Sequence, residues 1–155
     1  MELRDIIKLN SAMGNDTVYK GIEYSFDHRG RVRAFCLDKS IKEVELLDGT
    51  EVIDFYAFAR CDMMTRINIP DTVKTIKSNA FQDCRNLRFI EIPKCICRIN
   101  DATFMGCISL QDVILPKINK IGSCAFDGCP SLKQIRIPEG MQIIGENAFS
   151  SCTSL

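Results

Sequence analysis

Apolar and polar residues follow one arrangement that returns along most of the chain. In one example, Ile90 and Ile92 alternate with Phe89 and Glu91, which predicts a strand with one buried face and one face exposed to solvent. Pro93 follows directly and cannot donate a hydrogen bond to a neighbouring strand, so the strand is expected to end there. The pattern therefore predicts a short strand, after which the chain turns away.

A second set of apolar positions follows each strand. Val73 and Ile76 are three residues apart, and the pair is predicted to point into the core from the wall opposite the strand. The next apolar residues are spaced for one side of about one helical turn. In this unit they are Ala80, Phe81, Cys84 and Leu87. A strand, an opposite wall and a helical turn together describe one coil of a solenoid.

The coil recurs with a fixed period. Five phenylalanines that end Ala-Phe or Thr-Phe pairs lie at intervals of 23, 23, 22 and 23 residues: Phe58, Phe81, Phe104, Phe126 and Phe149. Five cysteines follow them at a distance of three residues: Cys61, Cys84, Cys107, Cys129 and Cys152. A coil of this length cannot bury its own apolar side, so successive coils are predicted to stack, with parallel strands about 4.8 Å apart and equivalent residues above one another.

The repeated unit resembles a known family. The units include IPDTVKTIKSNAFQDCRNL from Ile69 and IPEGMQIIGENAFSSCTSL from Ile137. They are similar to the BspA-type leucine-rich repeats, whose unit runs roughly L-x-x-I-x-I-P-x-x-V-x-x-I-x-x-x-A-F-x-x-C-x-x-L. The resemblance covers residues 41–155 and implies a right-handed leucine-rich-repeat solenoid of the α/β repeat class. Such a solenoid has parallel β-strands, one per coil, and short helical turns.

Three departures from the family pattern are modest. Leu47 stands where the unit has proline, Thr103 replaces the alanine before the phenylalanine, and the fourth unit lacks one residue before Ile118. Proteins of this family are surface or secreted proteins of bacteria and some protists. The resemblance therefore implies an adhesin-like role in which a protein partner binds the face formed by the strands.

The two ends of the chain differ from the repeats. Residues 1–40 are predicted to form an N-terminal capping segment, and residues 41–155 to hold about five repeats of 22–23 residues. Alternation between Tyr19 and Cys36, interrupted by a turn at His28-Arg29-Gly30, predicts a β-hairpin, and the amphipathic start adds a helical turn. The chain stops at Leu155, at the first residue of a sixth strand, so we expect either a truncated array or an edge covered by another molecule.

Composition narrows the possible partners. The chain has 155 residues, of which 46% are apolar and 26% charged, as in an ordinary globular domain with a buried core. Twenty basic and twenty acidic residues give a net charge of zero, which argues against nucleic acid or an anionic membrane as partner. No apolar run approaches the roughly 18 residues of a spanning helix, so membrane insertion is not expected.

The nine cysteines admit several chemical interpretations. The five periodic ones could form disulfides, a metal ladder or part of the core. Because each lies on the inward side of a turn next to a buried phenylalanine, core thiols are favoured. Cys95 and Cys97 form a C-x-C pair near which only Cys124 is expected, so no metal site is assigned. Alternation predicts that Cys97 is exposed and leaves its reactivity open.

Other signatures of chemistry are weak. The single histidine, His28, falls in the predicted hairpin turn, and no spacing supplies the cysteine and orienting group that a nucleophilic pair needs. The glycines form no phosphate-binding motif, so no nucleotide or other cofactor is expected. The sequence therefore assigns no catalytic, cofactor-binding or metal-binding residue.

The outward positions of the strands form a surface that we call the strand face. Its ten residues are the candidate partner-binding site: Glu43, Glu45, Arg66, Asn68, Phe89, Glu91, Asp112, Ile114, Gln134 and Arg136. Phe89 and Ile114 are expected to be neighbours, and two apolar side chains with a polar rim are typical of a protein contact. Exposed apolar residues are also common on ordinary surfaces.

Three functions compete on this evidence. The favoured one is a non-catalytic protein-interaction module. The second is a structural unit that assembles with itself through the uncovered end after Leu155 or through the patch of Phe89 and Ile114. The third and least favoured is a thiol enzyme using Cys97 or another free cysteine. Location stays open, since the family is exported whereas unpaired thiols suit a reducing compartment.

Overall fold

The computed structural model describes all residues from Met1 to Leu155 and arranges them as successive coils. The elements in chain order are α1 (Leu3–Ala12), β1 (Thr17–Tyr19), β2 (Ile22–Phe26), β3 (Val32–Cys36), β4 (Glu43–Glu45), β5 (Val52–Ile53), β6 (Arg66–Asn68), β7 (Thr75–Ile76), β8 (Phe89–Glu91), β9 (Arg98–Ile99), β10 (Asp112–Ile114), β11 (Lys120–Ile121) and β12 (Ile143–Ile144). The predicted solenoid with parallel strands is confirmed.

The strands of the strand face are three residues long and follow the predicted alternation. In β4, β6 and β8 the outer two residues are exposed and the middle one is buried. The buried middle residues of these strands and of β10 are Val44, Ile67, Ile90 and Val113. Because successive side chains point to opposite faces, the charged residues on either side must face solvent.

A second column of strands lies on the opposite wall, where the sequence analysis predicted apolar residues but no strand. It consists of β5, β7, β9, β11 and β12, each two residues long. Ile53 pairs with Ile76, and Ile99 pairs with Ile121, in parallel register. Val73, Ile76, Ile96 and Ile99 are buried, so the predicted inward direction of this wall is confirmed.

Neither column is a continuous ladder. On the strand face, β4 pairs with β6 and β8 pairs with β10, but β6 and β8 belong to different sheets. On the second column, the ladder is interrupted between β7 and β9. Both interruptions lie at the same boundary between two coils, which leaves open surface on both sides of the solenoid there.

The phenylalanines of the repeat stack directly over one another. The ring centroids are 5.4 Å apart from Phe58 to Phe81 and from Phe81 to Phe104, 5.3 Å from Phe104 to Phe126, and 5.4 Å from Phe126 to Phe149. The first four are completely buried. Separations of this size are favourable for offset stacked rings. The predicted vertical stacking of equivalent residues is confirmed.

Each corner that holds a phenylalanine is built from consecutive turns rather than a regular helix. Backbone N–H groups bond to carbonyls three residues earlier, as from Gln82 to Asn79 at 3.1 Å and from Cys84 to Phe81 at 3.2 Å. Left-handed residues recur at its two ends, and in this coil they are Asn79 (φ 60°) and Asp83 (φ 57°). Left-handed residues interrupt an α-helix, which is why the corner remains a compact turn.

The N-terminal residues pack onto the first coil. β2 and β3 form an antiparallel hairpin at the position that the alternation predicts, with Tyr24 opposite Ala34. β3 then pairs in parallel with β5, so the hairpin continues the second column. The helix α1 buries Leu3 and Ile7 and is longer than the single predicted turn.

The last repeat departs from the prediction. The sequence pattern predicts a fifth strand over Gln134 and Arg136, but the structure has no strand there. The single backbone bond that ties this segment to the preceding coil runs from Lys133 N–H to Gln111 O at 3.3 Å. Apart from this bond the segment has no backbone hydrogen bond to the preceding coil, so no ladder forms with β10.

Candidate partner-binding face

The structure places all ten predicted residues on one side of the solenoid. Nine of them are exposed, and Asp112 is partly buried. Eight of them are held by short strands whose middle residues are anchored in the core, so their backbone positions are fixed by the stacked coils, whereas Gln134 and Arg136 lie in a segment without a strand. The strand face is therefore a rigid surface that carries outward side chains.

Three shallow cavities follow one another along the strand face. The first, of about 300 Å³, lies between β4 and β6, and the second, of about 200 Å³, lies between β6 and β8. The third, of about 530 Å³, lies between β10 and the segment 134–136. Each of the ten predicted residues lines at least one of them. Two of the three cavities coincide with places where the ladder of strands is not formed.

Phe89 and Ile114 are exposed, but they are not directly opposite each other. The register of β8 and β10 pairs Phe89 with Asp112 and Glu91 with Ile114, so the two apolar side chains are diagonal neighbours. Their exposed fractions are 41% and 47%. Since each apolar side chain lies opposite a carboxylate, the face offers two separate apolar contacts within a charged surround.

The strand face carries more acidic than basic side chains. Four of the ten residues are acidic and two are basic, and none of them takes part in a salt bridge. The one hydrogen bond between side chains of the face runs from Asn68 Nδ2 to Glu45 Oε1 at 3.1 Å. The charged groups are therefore largely free to pair with groups of another molecule.

The five periodic cysteines belong to the core, as predicted. All are free thiols, and four of them are buried while Cys152 is partly exposed. Cys84 Sγ donates a hydrogen bond to Phe58 O at 3.0 Å, and the same bond to the phenylalanine of the preceding coil recurs at Cys107, Cys129 and Cys152. The thiols thus join one coil to the next.

Four of these thiols have raised pKa values, and burial contributes to each. Burial raises the pKa of Cys129 to about 12, with a smaller contribution from the nearby thiol of Cys152. Burial also raises the pKa values of Cys107 and Cys152. For Cys61 the hydrogen bond with Cys36 raises the pKa, and burial adds to it. Protonated buried thiols are poor nucleophiles and poor metal ligands.

The remaining candidate chemistry is not assembled into a site. Cys95 and Cys97 are exposed, and Cys97 and His28 line the same groove without a hydrogen bond between them. No three His, Cys, Asp or Glu side chains are grouped so as to hold a metal ion. No helix of the structure has the length and apolar character needed to cross a membrane.

The groove that contains Cys97 also holds residues that the sequence analysis did not select. Arg29, Lys74 and Arg98 come together there from the hairpin turn and from two neighbouring coils. The repeat period is enough to predict that Thr75 and Arg98 occupy equivalent positions in neighbouring coils. It does not predict that the hairpin turn lies beside the coils, which follows from the pairing of β3 with β5. The basic character of this side could therefore not be read from any one segment.

Comparison with known proteins agrees with this architecture. The sequence profile of the BspA type leucine rich repeat region matches residues 31–155 in six copies. No curated protein sequence matches the chain.

Several solved structures are similar to the chain, among them the following three. A leucine rich cell surface protein from Faecalibacterium prausnitzii has a TM-score of 0.82 and 30% identity, covering 90% of this chain and 38% of the other. A leucine-rich repeat protein from Bacteroides ovatus has a TM-score of 0.81 and 34% identity, covering 90% and 40%. A leucine rich repeat protein from T. pallidum has a TM-score of 0.81 and 28% identity, covering 91% and 69%.

The chain thus spans about two fifths of the length of the first two proteins. The family profile, the repeat period and the stacked coils all indicate the same repeat family. The chain belongs to the BspA-type leucine-rich repeat family, whose fold serves as a protein-interaction repeat module and is typically non-enzymatic.

Proposed function

We propose that this chain is a non-catalytic interaction module that binds a protein partner on its strand face, as part of a surface or secreted adhesin-like protein. The observation that carries the proposal is the row of ten outward residues lining three consecutive cavities on a rigid scaffold. One structural relative is described as a cell surface protein, which supports the proposed location. In this proposal residues 1–40 act as the N-terminal cap of the repeats in 41–155.

The chemistry of the face favours a protein over a small molecule. The cavities are shallow and follow one another, whereas a small-molecule site is usually one deep and mostly apolar pocket. Phe89 and Ile114 provide apolar contacts, and unpaired charges surround them. A partner with a basic contact surface would complement the four carboxylates of the face.

The test measures binding of purified host extracellular-matrix and serum proteins to the chain by biolayer interferometry. For a partner found in this way, the Phe89→Ser/Ile114→Ser variant is expected to bind at least tenfold more weakly, because it removes both apolar contacts. The control variant Ile108→Ser/Met63→Ser alters two residues of similar exposure, 47% and 44%, outside the strand face. Binding that the first variant retains, or loses no more than the control, contradicts the proposal.

A second function, self-assembly, is favoured by one observation at the last coil. Ile144 is 51% exposed, whereas Ile99 and Ile121, which occupy its position in earlier coils, are buried. The neighbouring Ile143, 52% exposed, occupies the outward position of Arg98 and Lys120. Self-association through this surface would bury Ile144 and cover Ile143. Light scattering over a concentration series tests it: assembly that Ile144→Lys abolishes supports this function, and a monomer up to high micromolar concentration excludes it.

A further inference from the structure

A groove opens on the second column, away from the strand face, where β7 and β9 are not paired. At other boundaries a backbone bond joins equivalent residues of adjacent coils, from Lys74 N–H to Glu51 O at 2.9 Å, from Asn119 to Cys97 at 3.0 Å and from Gln142 to Asn119 at 2.9 Å. The corresponding bond from Cys97 N–H to Lys74 O does not form. The groove therefore contains a backbone donor and a backbone acceptor that the fold leaves free.

A side chain replaces the next bond of the same ladder. Elsewhere Gly122 N–H donates to Ile99 O at 2.8 Å, but here Asn100 donates through its side chain, from Nδ2 to Ile76 O at 2.5 Å. The amide of Asn100 thus spans the gap between the coils. The phenylalanines behind this gap remain stacked at 5.4 Å, so the opening is confined to the outer wall.

The lining of the groove is strongly basic. The groove has a volume of about 410 Å³ and is lined by twelve residues. Five of the twelve are arginine or lysine, none is acidic, and the histidine is also among them: Arg29, Arg31, Lys74, Lys77, Arg98 and His28. Since the whole chain has a net charge of zero, this concentration of cations is local. We call this surface the basic groove.

Three of the five cations have no carboxylate partner. Arg31 pairs with Asp27 at 2.8 Å, and Lys77 pairs with Asp54 at 2.7 Å. Arg29, Lys74 and Arg98 take part in no salt bridge. Like charges held close together repel one another, and a bound anion relieves that repulsion.

The arrangement suits a carboxylate-bearing peptide. A guanidinium group binds a carboxylate through two parallel hydrogen bonds, and a free backbone N–H such as that of Cys97 can donate to a carboxylate or to a peptide carbonyl. Phe55, an exposed ring at the edge of the groove under Lys77 Nζ, offers an apolar contact to a neighbouring side chain. We propose that the basic groove binds an extended acidic segment of a protein partner, at a site separate from the strand face.

The test uses a rhodamine-labelled octaglutamate peptide, with octaglutamine as the uncharged probe, and measures fluorescence anisotropy at low ionic strength. We expect octaglutamate alone to bind, and Lys74→Glu/Arg98→Glu to weaken its binding at least tenfold. The control Lys8→Glu/Lys133→Glu makes the same change in net charge at exposed residues outside the groove and should change the affinity less than twofold. Circular dichroism checks that both variants keep the wild-type fold.

A second measurement locates the bound peptide. Saturating octaglutamate is expected to slow the reaction of Cys97 with a neutral maleimide at least fivefold and to leave Cys95 unchanged, since Cys97 lines the groove and Cys95 does not. Equal effects of the two charge-reversal variants, no binding of octaglutamate, or no protection of Cys97 overturns the proposal. It is also overturned if a sulfated oligosaccharide binds the groove and octaglutamate does not compete with it.

Discussion

The stack of phenylalanine rings makes the cost of one missing ring calculable. Phe104 is completely buried between Phe81, at a centroid distance of 5.4 Å, and Phe126, at 5.3 Å. Phe104→Ala removes a fully buried ring and leaves a cavity that the coils on both sides cannot fill, which costs about 3–5 kcal/mol in the free energy of unfolding. For a chain of this size, that loss lowers the Tm by roughly 6–20 °C.

Two matched variants separate this effect from general damage. Phe104→Leu fills most of the cavity and should cost less than half as much. Phe149→Ala removes a ring that is only partly buried and has a single stacked neighbour, Phe126 at 5.4 Å, so it should also cost less than half as much. Urea unfolding followed by circular dichroism measures all three with the wild type.

The form of the unfolding curve is part of the prediction. Because each coil is stable only through its neighbours, Phe104→Ala should shift the midpoint while a single transition is kept. A cost below about 1 kcal/mol would mean that the ring does not fill a tight core. A cost equal to that of Phe149→Ala would mean that the position in the stack does not matter, and either result refutes the reasoning.

Three further predictions concern the corners and the hairpin turn. Burial raises the pKa of Cys129 to about 12, so between about pH 9 and 12 the folded chain holds a proton that the unfolded thiol has lost. This thiol should therefore lower the free energy of unfolding by about 1.4 kcal/mol by pH 10, and urea unfolding of Cys129→Ala should show a smaller decrease at alkaline pH. Ala102 has a positive φ of 51°, so Ala102→Gly should stabilise the fold by about 0.5–1 kcal/mol in thermal unfolding. The control Ala125→Gly, at a buried position without positive φ, should destabilise the fold by about 1 kcal/mol. Opposite signs for the two variants would contradict the account. Burial opposes ionisation of Asp27, but hydrogen bonds from the backbone and side chain of Arg31 and from the Arg29 backbone N–H outweigh it and lower its pKa. This carboxylate therefore stabilises the fold above about pH 4 and does so less as the pH falls. Asp27→Asn should cost about 1–2 kcal/mol at pH 7 and less at pH 2, because the stabilisation declines progressively as the pH falls below the usual carboxyl pKa; an equal cost at both values would contradict the role of the charge.

Much of the fold could be predicted because the side chains repeat with the coil. The period of Phe81, Phe104 and Phe126 reports a position that every coil presents to its neighbours, and equivalent side chains must lie above one another when coils stack. The same argument placed the periodic cysteines in the core. The outward residues of the strands could be identified because alternation on a half-buried strand leaves no other direction for them.

The interruptions of the ladders could not be predicted from the same pattern. They depend on the distance between two backbones, which the apolar pattern does not determine. The bond from Cys97 N–H to Lys74 O is missing although the apolar residues around both positions follow the repeat. The absence of a strand over 134–136 has a similar origin, since Gln134 and Arg136 keep the alternation but form no backbone ladder with β10.

The basic groove required the three-dimensional arrangement. Arg29 lies in the hairpin turn, and Lys74 and Arg98 lie in two different coils, so no segment contains more than one of the unpaired cations. They meet because β3 pairs with β5 and brings the hairpin turn beside the second column. A net charge of zero describes the whole chain and does not reveal such a local excess.

The most direct test of the stacked coils is the contact between phenylalanine rings in solution. In a nuclear Overhauser spectrum of the chain with selectively protonated phenylalanine, we predict ring–ring cross-peaks between Phe81 and Phe104 and between Phe104 and Phe126, whose centroids are 5.4 and 5.3 Å apart. Phe81 and Phe126 should show none, because Phe104 lies between them. Absence of the two neighbouring cross-peaks, in a folded sample with all three rings assigned, would contradict the stacking on which the solenoid and both proposed binding surfaces depend.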